Sequence, residues 1–210
     1  MDNGMQTLCI AFEGFRRIAS GELAEVALKA KEVIDRGEIG PVLIFDNATS
    51  EQIDVDYGGT ADEVLIKLEH RAALIVAAFP PAPELSTAPR GPGRPRLGVV
   101  GHEVTLLPRH WEWLNDQPGG ASVALRKLVE HARHANEGKD RIRRAQESAY
   151  LFMSAVAGNL HGFEEATRAL FAANIERFDE WIVTWPVDVR DHARGLATKA
   201  CQPIGEMTTQ

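Results

Sequence analysis

The sequence predicts an α+β protein with two folded regions, and three observations lead to this prediction. Some segments repeat apolar residues with the period of a helix, and others alternate them with the period of a strand. A stretch rich in proline and glycine, residues 80–98, interrupts both patterns. Strand and helix patterns alternate before this stretch, whereas helical patterns dominate after it. We therefore expect an N-terminal ββαββα domain at 1–79, a linker at 80–98, a strand followed by a mostly helical region at 99–200, and a flexible tail at 201–210.

Residues 1–79 show the patterns of two hairpins, each followed by a helix. TLCIAF and FRRIAS predict two strands joined by a turn at Glu13-Gly14, and PVLIFD and EQIDVDYG predict a second hairpin. The segment ELAEVALKAKEVIDR, residues 22–36, repeats apolar residues at helical spacing. Thr60 is placed to cap a second helix, ADEVLIKLEHRAALIVAA. We expect an antiparallel or mixed sheet with helices on one face.

Residues 99–200 begin with a strand pattern, VVGHEVTLL, and continue with helix patterns. Pro108 suits the first position of the helix PRHWEWLNDQ. Pro118-Gly119-Gly120 ends that helix, and Ser122 is placed to cap the next, SVALRKLVEHARHA. Amphipathic patterns predict two further helices, in RIRRAQESAYLFMSAVAGNL and FEEATRALFAAN, and two more helices are expected in FDEWIVTW, which ends at Pro186, and VDVRDHARGLATKA.

Charge is distributed unevenly along the 210 residues, whose formal net charge is −7. Between Arg90 and Arg144 there are 11 Lys and Arg against 6 Asp and Glu, whereas the remainder carries 12 against 24. The net charge argues against a protein that coats nucleic acid with its whole surface. The asymmetry instead predicts a basic working surface on an acidic body.

Cysteine content and apolar runs indicate a cytoplasmic location. The chain has two cysteines, Cys9 and Cys201, which form no disulfide framework and favour a reducing compartment. The first residues lack the basic start and apolar core of a signal peptide. The longest apolar run, AALIVAAF at 72–79, is far shorter than the ~20 residues that span a bilayer.

The basic segment PRGPGRPR resembles an AT-hook around Gly93-Arg94-Pro95. In that motif glycine and proline keep the backbone narrow, so that flanking arginines enter an A·T minor groove. The resemblance implies this role for Arg90, Arg94 and Arg96. The segment departs from the motif at Pro92, where an arginine is preferred. An ordinary proline-rich linker with scattered charge is the alternative.

The adjoining segment EVTLLPRHWEWLNDQPGGASVALRKLVEHAR resembles a ribbon-helix-helix unit. In that family two chains pair short strands into a ribbon that lies in the major groove of DNA. The resemblance implies a strand near Glu103–Leu107, a turn at Gly119-Gly120, and a second helix whose start at Ala121-Ser122 meets a phosphate. It also implies a homodimer, with double-stranded DNA as the partner.

The ribbon-helix-helix resemblance divides the second helix into a buried side and a DNA-facing side. The predicted buried stripe consists of Leu125, Leu128, Val129 and Ala132. The predicted nucleic-acid-binding residues are Arg90, Arg94, Arg96, Thr105, Arg109, Ser122, Arg126 and Lys127. Neither face of the predicted strand carries a row of base-reading side chains, and Glu103 would repel phosphate. We therefore expect binding mainly through phosphate and groove-shape contacts.

Most of the chain also resembles an uncharacterised bacterial family that is known only as a domain of unknown function. The segments that carry this resemblance are GRPRLGVVGHEVTLLPRHWEWLNDQPGGASVALRKLV, MSAVAGNLHGFEEATRALFA and WPVDVRDHA. The resemblance implies a bacterial source. It implies no activity, cofactor or site residue.

Two other functions remain open from the sequence. One is a protein-interaction or scaffold module in which the proline-rich segment is a docking peptide. The other is a metal-dependent enzyme that uses Asp46, Asp54 and Asp56 at one edge of the N-terminal sheet. His131 and His134 share a helix face but need further ligands to hold a metal. We expect no cofactor.

Overall fold

The computed structural model describes residues 7–37, 39–78 and 102–201. These residues belong to two compact units, which are described separately. The first unit contains 7–78 together with 138–201, and the second contains 102–137. The predicted linker at 80–98 and residues 202–210 of the predicted tail lie outside the described residues.

The sheet of the first unit has three antiparallel strands in the order β2-β1-β3. The strands are β1 (Leu8–Glu13), β2 (Arg16–Glu22) and β3 (Val42–Asp46). The predicted turn between β1 and β2 is present, and Gly14 adopts a φ of 55°, which glycine tolerates better than other residues. The first predicted hairpin is therefore confirmed.

The second predicted hairpin is wrong because EQIDVDYG forms no strand. Its pairing with β3 is limited to an isolated bridge between Phe45 and Gln52. The alternating apolar residues Ile53, Val55 and Tyr57 nevertheless pack against a buried cluster of the first unit. The alternation therefore correctly indicates that one face of this segment is buried. The segment does not, however, form a ladder of backbone hydrogen bonds with β3.

Two helices of the first unit lie where the sequence predicts them. They are α1 (Leu23–Asp35) and α2 (Ala61–Ala78). Thr60 and Glu63 form a reciprocal capping box at the start of α2. The Thr60 backbone N–H donates to Glu63 Oε2 over 2.7 Å, and the Glu63 N–H donates to Thr60 Oγ1 over 3.3 Å.

Five more helices follow, and the described residues contain no strand after β3. The helices are α3 (Pro108–Asn115), α4 (Gly120–Val156), α5 (Phe163–Phe171), α6 (Ile175–Ile182) and α7 (Val187–Cys201). Residues 102–107 form no strand among the described residues, contrary to the prediction, and residues 99–101 of the predicted strand lie outside the described residues. The two helices predicted at 122–135 and 141–160 are one helix, α4. No proline interrupts α4, and one interior glycine, Gly138, costs a helix only about 1 kcal/mol.

Strand β1 is buried on both faces, which places the sheet between two helical layers. Cys9 and Ala11 face a cluster that includes residues of α1 and α2. Ile10 and Phe12 face a second cluster, built with α4 to α7. Because successive strand residues point to opposite faces, the apolar run in β1 serves both layers. The α+β fold class is confirmed, although helices cover both faces of the sheet.

The centre of the second cluster is aromatic. Phe152 of α4 is fully buried, with ring centroids 5.2 Å from Phe12 and 5.4 Å from Phe45. The imidazole of His192, on α7, lies edge-on to the same Phe152 ring at 4.5 Å. The clustering shows that residues from both ends of the described chain complete one core.

Candidate functional site

The α3–α4 turn of the second unit has the compact geometry expected at this point of the sequence. Helix α3 ends as the Gln117 backbone N–H donates to Leu114 O over 3.2 Å. The Gly120 N–H then donates to Gln117 O over 2.9 Å. Gly119 has a φ of 90°, and a Cβ there would lie 3.1 Å from the Val123 side chain. Glycine at this position therefore allows α4 to begin immediately after the turn.

The predicted nucleic-acid-binding residues that the structure describes are all exposed. Thr105 lies before α3 and Arg109 lies in its first turn. Ser122, Arg126 and Lys127 lie in the first two turns of α4. Because α4 begins at Gly120, Ser122 lies within the helix, and the prediction that it caps this helix is wrong. The remaining three predicted contacts, Arg90, Arg94 and Arg96, lie outside the described residues.

The described residues of this set include three cations, Arg109, Arg126 and Lys127. None of them has a carboxylate partner within 4.0 Å among the described residues. Arg126 Nε donates instead to the backbone oxygen of Ser122 over 3.1 Å. By contrast, Arg133 pairs with Glu130 at 3.2 Å. The positive charge near the start of α4 is therefore less neutralised than that of the following turns.

The sequence predicts that one apolar stripe of α4 is buried, and this prediction is wrong for the single chain. Leu128 is 47% exposed and Val129 is 63% exposed, and Ala132 is exposed as well. Leu125 is only partly buried. No described residue of the second unit covers this side of α4, so the stripe is exposed in the single chain.

Further apolar side chains of the second unit are also exposed. They include Val104, Leu107 and Trp113. Trp111, in the same helix as Trp113, is partly buried. This difference agrees with the sequence spacing, which directs the two rings to different sides of α3.

Two of the three aspartates that the sequence suggested as a metal edge, Asp46 and Asp56, have other partners for their carboxylates. Asp46 Oδ1 accepts hydrogen bonds from the backbone N–H groups of Ala48 and Thr49, at 2.7 and 2.8 Å. Asp56 pairs with Lys67 at 2.7 Å, and this partner lowers the pKa of the Asp56 carboxyl. Within the described ranges no group of three or more His, Cys, Asp or Glu side chains is placed to hold a metal ion.

The proposed histidine pair does not form a metal site in the described part of the chain either. His134 Nε2 lies 3.0 Å from a carboxylate oxygen of Glu130, one turn earlier on α4. A second carboxylate, on Glu137, lies 3.9 Å from His134 Nδ1. His131 is exposed and takes no part in these contacts. Surface pairing along one helix accounts for His134.

The first unit contains a basic cleft that the sequence analysis did not identify. It has a volume of about 660 Å³ and lies between the turn after β3, the second half of α4, and α7. Three cations line it, Arg141, Arg144 and Lys199. Arg141 and Arg144 are three residues apart in a helix pattern, which hints at a shared face. Their approach to Lys199 depends on tertiary packing and leaves no local signal.

The comparisons with known proteins identify a family without an assigned function. No curated protein and no solved structure matches the chain. No helix in the described ranges has the length and apolarity to cross a membrane. A bacterial family matches residues 8–197, which is most of the chain and includes both units. This protein therefore belongs to the family described as "Uncharacterized protein conserved in bacteria (DUF2239)".

Proposed function

We propose that this protein binds double-stranded DNA as a homodimer, mainly through phosphate and groove-shape contacts. The observation that carries the proposal is the exposed, unneutralised positive charge of Arg126 and Lys127 close to the start of α4. Cations that lack carboxylate partners are available to neutralise phosphates and release their counterions.

The start of α4 adds backbone donors to these cations. The first N–H groups of a helix have no partner within the helix, and the helix dipole favours an anion there. Ser122 adds an exposed hydroxyl in the same turn. Arg126 and Lys127 follow Ser122 by about one helical turn. Ser122 and Arg126 are four residues apart and share one helix face, so with the backbone donors they suit a single phosphate, while Lys127 suits a neighbouring one.

The dimer part of the proposal explains the exposed apolar side chains of the second unit. Leu128 and Val129 on α4, with Leu107 and Val104 before α3, are the residues that a second copy would cover. Residues 103–107 pair with no strand in the described part of their own chain, so a β-ribbon would use the same segment of the second copy. Arg90, Arg94 and Arg96 would then follow the minor groove beside the ribbon.

Fluorescence anisotropy of the full-length protein on a labelled duplex tests DNA binding. We expect binding at ~50 mM salt, with an affinity that falls linearly with salt on a double-logarithmic plot. Each phosphate contact contributes about −0.9 to that slope, so Arg126→Gln with Lys127→Gln should flatten it by about 2 for each chain. Arg168→Gln, an exposed α5 residue of the first unit, is the control. Absence of salt-dependent binding by the wild type contradicts the proposal.

Sedimentation equilibrium tests the homodimer. The wild type should sediment as a dimer, and Leu128→Glu with Val129→Glu should shift it to a monomer because two charges would be buried without partners. Leu151→Glu, an exposed leucine of the first unit, is the matched control. A monomeric wild type would remove the homodimer from the proposal.

The same apolar surface favours one second candidate, a protein-interaction module. Exposed apolar groups on a small unit are typical of surfaces that bind another protein. A pulldown from nuclease-treated lysate separates the two candidates. A partner that is lost after Leu128→Glu, in a protein that shows no DNA binding, would favour the interaction module.

A further inference from the structure

The basic cleft of the first unit has a rigid wall on the side of the turn after β3. Ser50 adopts a φ of 57°, which is uncommon outside glycine, and its hydroxyl is buried. Ser50 Oγ lies 2.8 Å from Ser148 Oγ on α4. The Asp46 carboxylate holds the start of the same turn through two backbone N–H groups. The cleft is therefore preformed, and a ligand would pay little to order this wall.

The three cations of the cleft are open to a ligand. No carboxylate in the part of the chain that the structure describes lies within 4.0 Å of Arg141, Arg144 or Lys199. Two carboxylates, Glu51 and Glu147, also line the cleft. Glu147 lies 3.7 Å from Arg143, outside the cleft lining, which offsets its charge. The cleft therefore keeps a positive balance.

The rest of the lining is largely apolar. Leu151 of α4 is 45% exposed although it lies beside a buried core. Ala145 of the same helix, Leu196 of α7 and Ala48 of the turn complete the apolar surface. A small inorganic anion would leave this surface in water. A volume of about 660 Å³ is within the range of small-molecule sites.

From this combination we infer that the cleft binds an organic anion with an apolar body, such as an aryl or alkyl sulfonate or carboxylate. The apolar part lies against Leu151 and Ala145, and the acid group lies among Arg141, Arg144 and Lys199. This site does not depend on the proposed DNA binding. All its residues belong to the first unit.

A pair of fluorescent probes tests the two halves of this inference in the full-length protein. 1-Anilinonaphthalene-8-sulfonate carries an apolar body and an anionic group, and N-phenyl-1-naphthylamine is its uncharged counterpart. We expect the sulfonate to bind saturably with one site per chain. Arg144→Gln with Lys199→Gln should weaken the sulfonate about tenfold, because two charge-assisted contacts are lost. The uncharged probe should bind the same variant as it binds the wild type.

Two further variants localise the binding. Ala48→Trp places a large side chain into the cleft from an exposed position and should weaken both probes about tenfold. Arg168→Gln removes an exposed cation outside the cleft and should change neither. Circular dichroism verifies that each variant is folded. Absence of saturable sulfonate binding overturns the inference. It is also overturned if binding is insensitive to Ala48→Trp, or if the cation variant weakens both probes equally.

Discussion

Protonation of His192 should destabilise the first unit as the pH falls from 6.5 towards 4. The ring lies against Phe152 and Phe12 in the aromatic cluster. Burial lowers the pKa of His192 to about 4, and the charges of Lys199 and Arg17 act in the same direction. In the unfolded chain the ring takes up a proton near pH 6.5. Between these values the unfolded state binds the proton and the folded state does not, so stability is lost as the pH falls.

The expected size of this loss follows from the two pKa values. A pKa lowered from 6.5 to about 4 corresponds to about 3 kcal/mol, at about 1.4 kcal/mol for each tenfold change in the proton equilibrium. Because the ring is not fully buried, about 2 kcal/mol is expected between pH 7 and pH 4.5. The contribution is present above pH 6.5 and does not decrease further below pH 4.

Urea unfolding at pH 7.0, 5.5 and 4.5 measures this loss. His192→Phe keeps an aromatic ring in the cluster but cannot be protonated, so its free energy of unfolding should fall by about 2 kcal/mol less than that of the wild type. Carboxyl groups that titrate in the same range are common to both proteins and cancel in the comparison. His161→Gln, at an exposed position, should follow the wild type. Equal pH dependence of the wild type and His192→Phe would refute the reasoning.

Three further substitutions test the packing and capping of the first unit by urea unfolding at pH 7. Thr60→Ala removes one acceptor of the capping box with Glu63 and should cost about 1 kcal/mol, and an unchanged midpoint would contradict the role of the box. Phe152→Ala opens a cavity in the aromatic cluster and should cost about 3–5 kcal/mol, whereas a loss below about 1 kcal/mol would show that the cluster does not hold the helices to the sheet. Ser148→Ala leaves the buried Ser50 hydroxyl without its partner and should cost about 1–3 kcal/mol, unlike Ser154→Ala at an exposed site of α4, which should be nearly neutral.

Local patterns predicted the elements of the first unit well where a stop or start signal accompanied the periodicity. Helix α2 begins after Thr60 because Thr60 and Glu63 satisfy backbone donors on each other, and that signal is readable in the sequence. The hairpin turn at Gly14 is also predictable from the sequence, because a glycine between two strand patterns indicates a turn. The alternation of Ile53, Val55 and Tyr57 also indicated a buried face correctly. It could not show that pairing of this segment with β3 stops at a single bridge, since the extent of a ladder depends on packing beyond the local pattern.

The tertiary arrangement could not be predicted from these patterns. Phe12 and Phe152 are far apart in the sequence, and periodicity does not tell one buried face which other face will cover it. The basic cleft depends on the same arrangement, because Lys199 lines one cleft with Arg141 and Arg144 only when α7 packs beside α4. In the second unit the sequence correctly indicated that Leu125, Leu128, Val129 and Ala132 form one apolar side of α4. Its burial was predicted wrongly because nothing in the described part of the single chain covers Leu128.

The first unit draws on two separate stretches of chain, and this has a consequence for how the protein is made. During synthesis β1 and α1 leave the ribosome well before α7, the helix that carries His192. The nascent sheet can pack against α1 and α2 early in synthesis. Ile10 and Phe12 remain uncovered until α4 to α7 have been translated. Closing this long loop slows the last step of folding. The emerging chain therefore exposes one apolar sheet face for most of its synthesis.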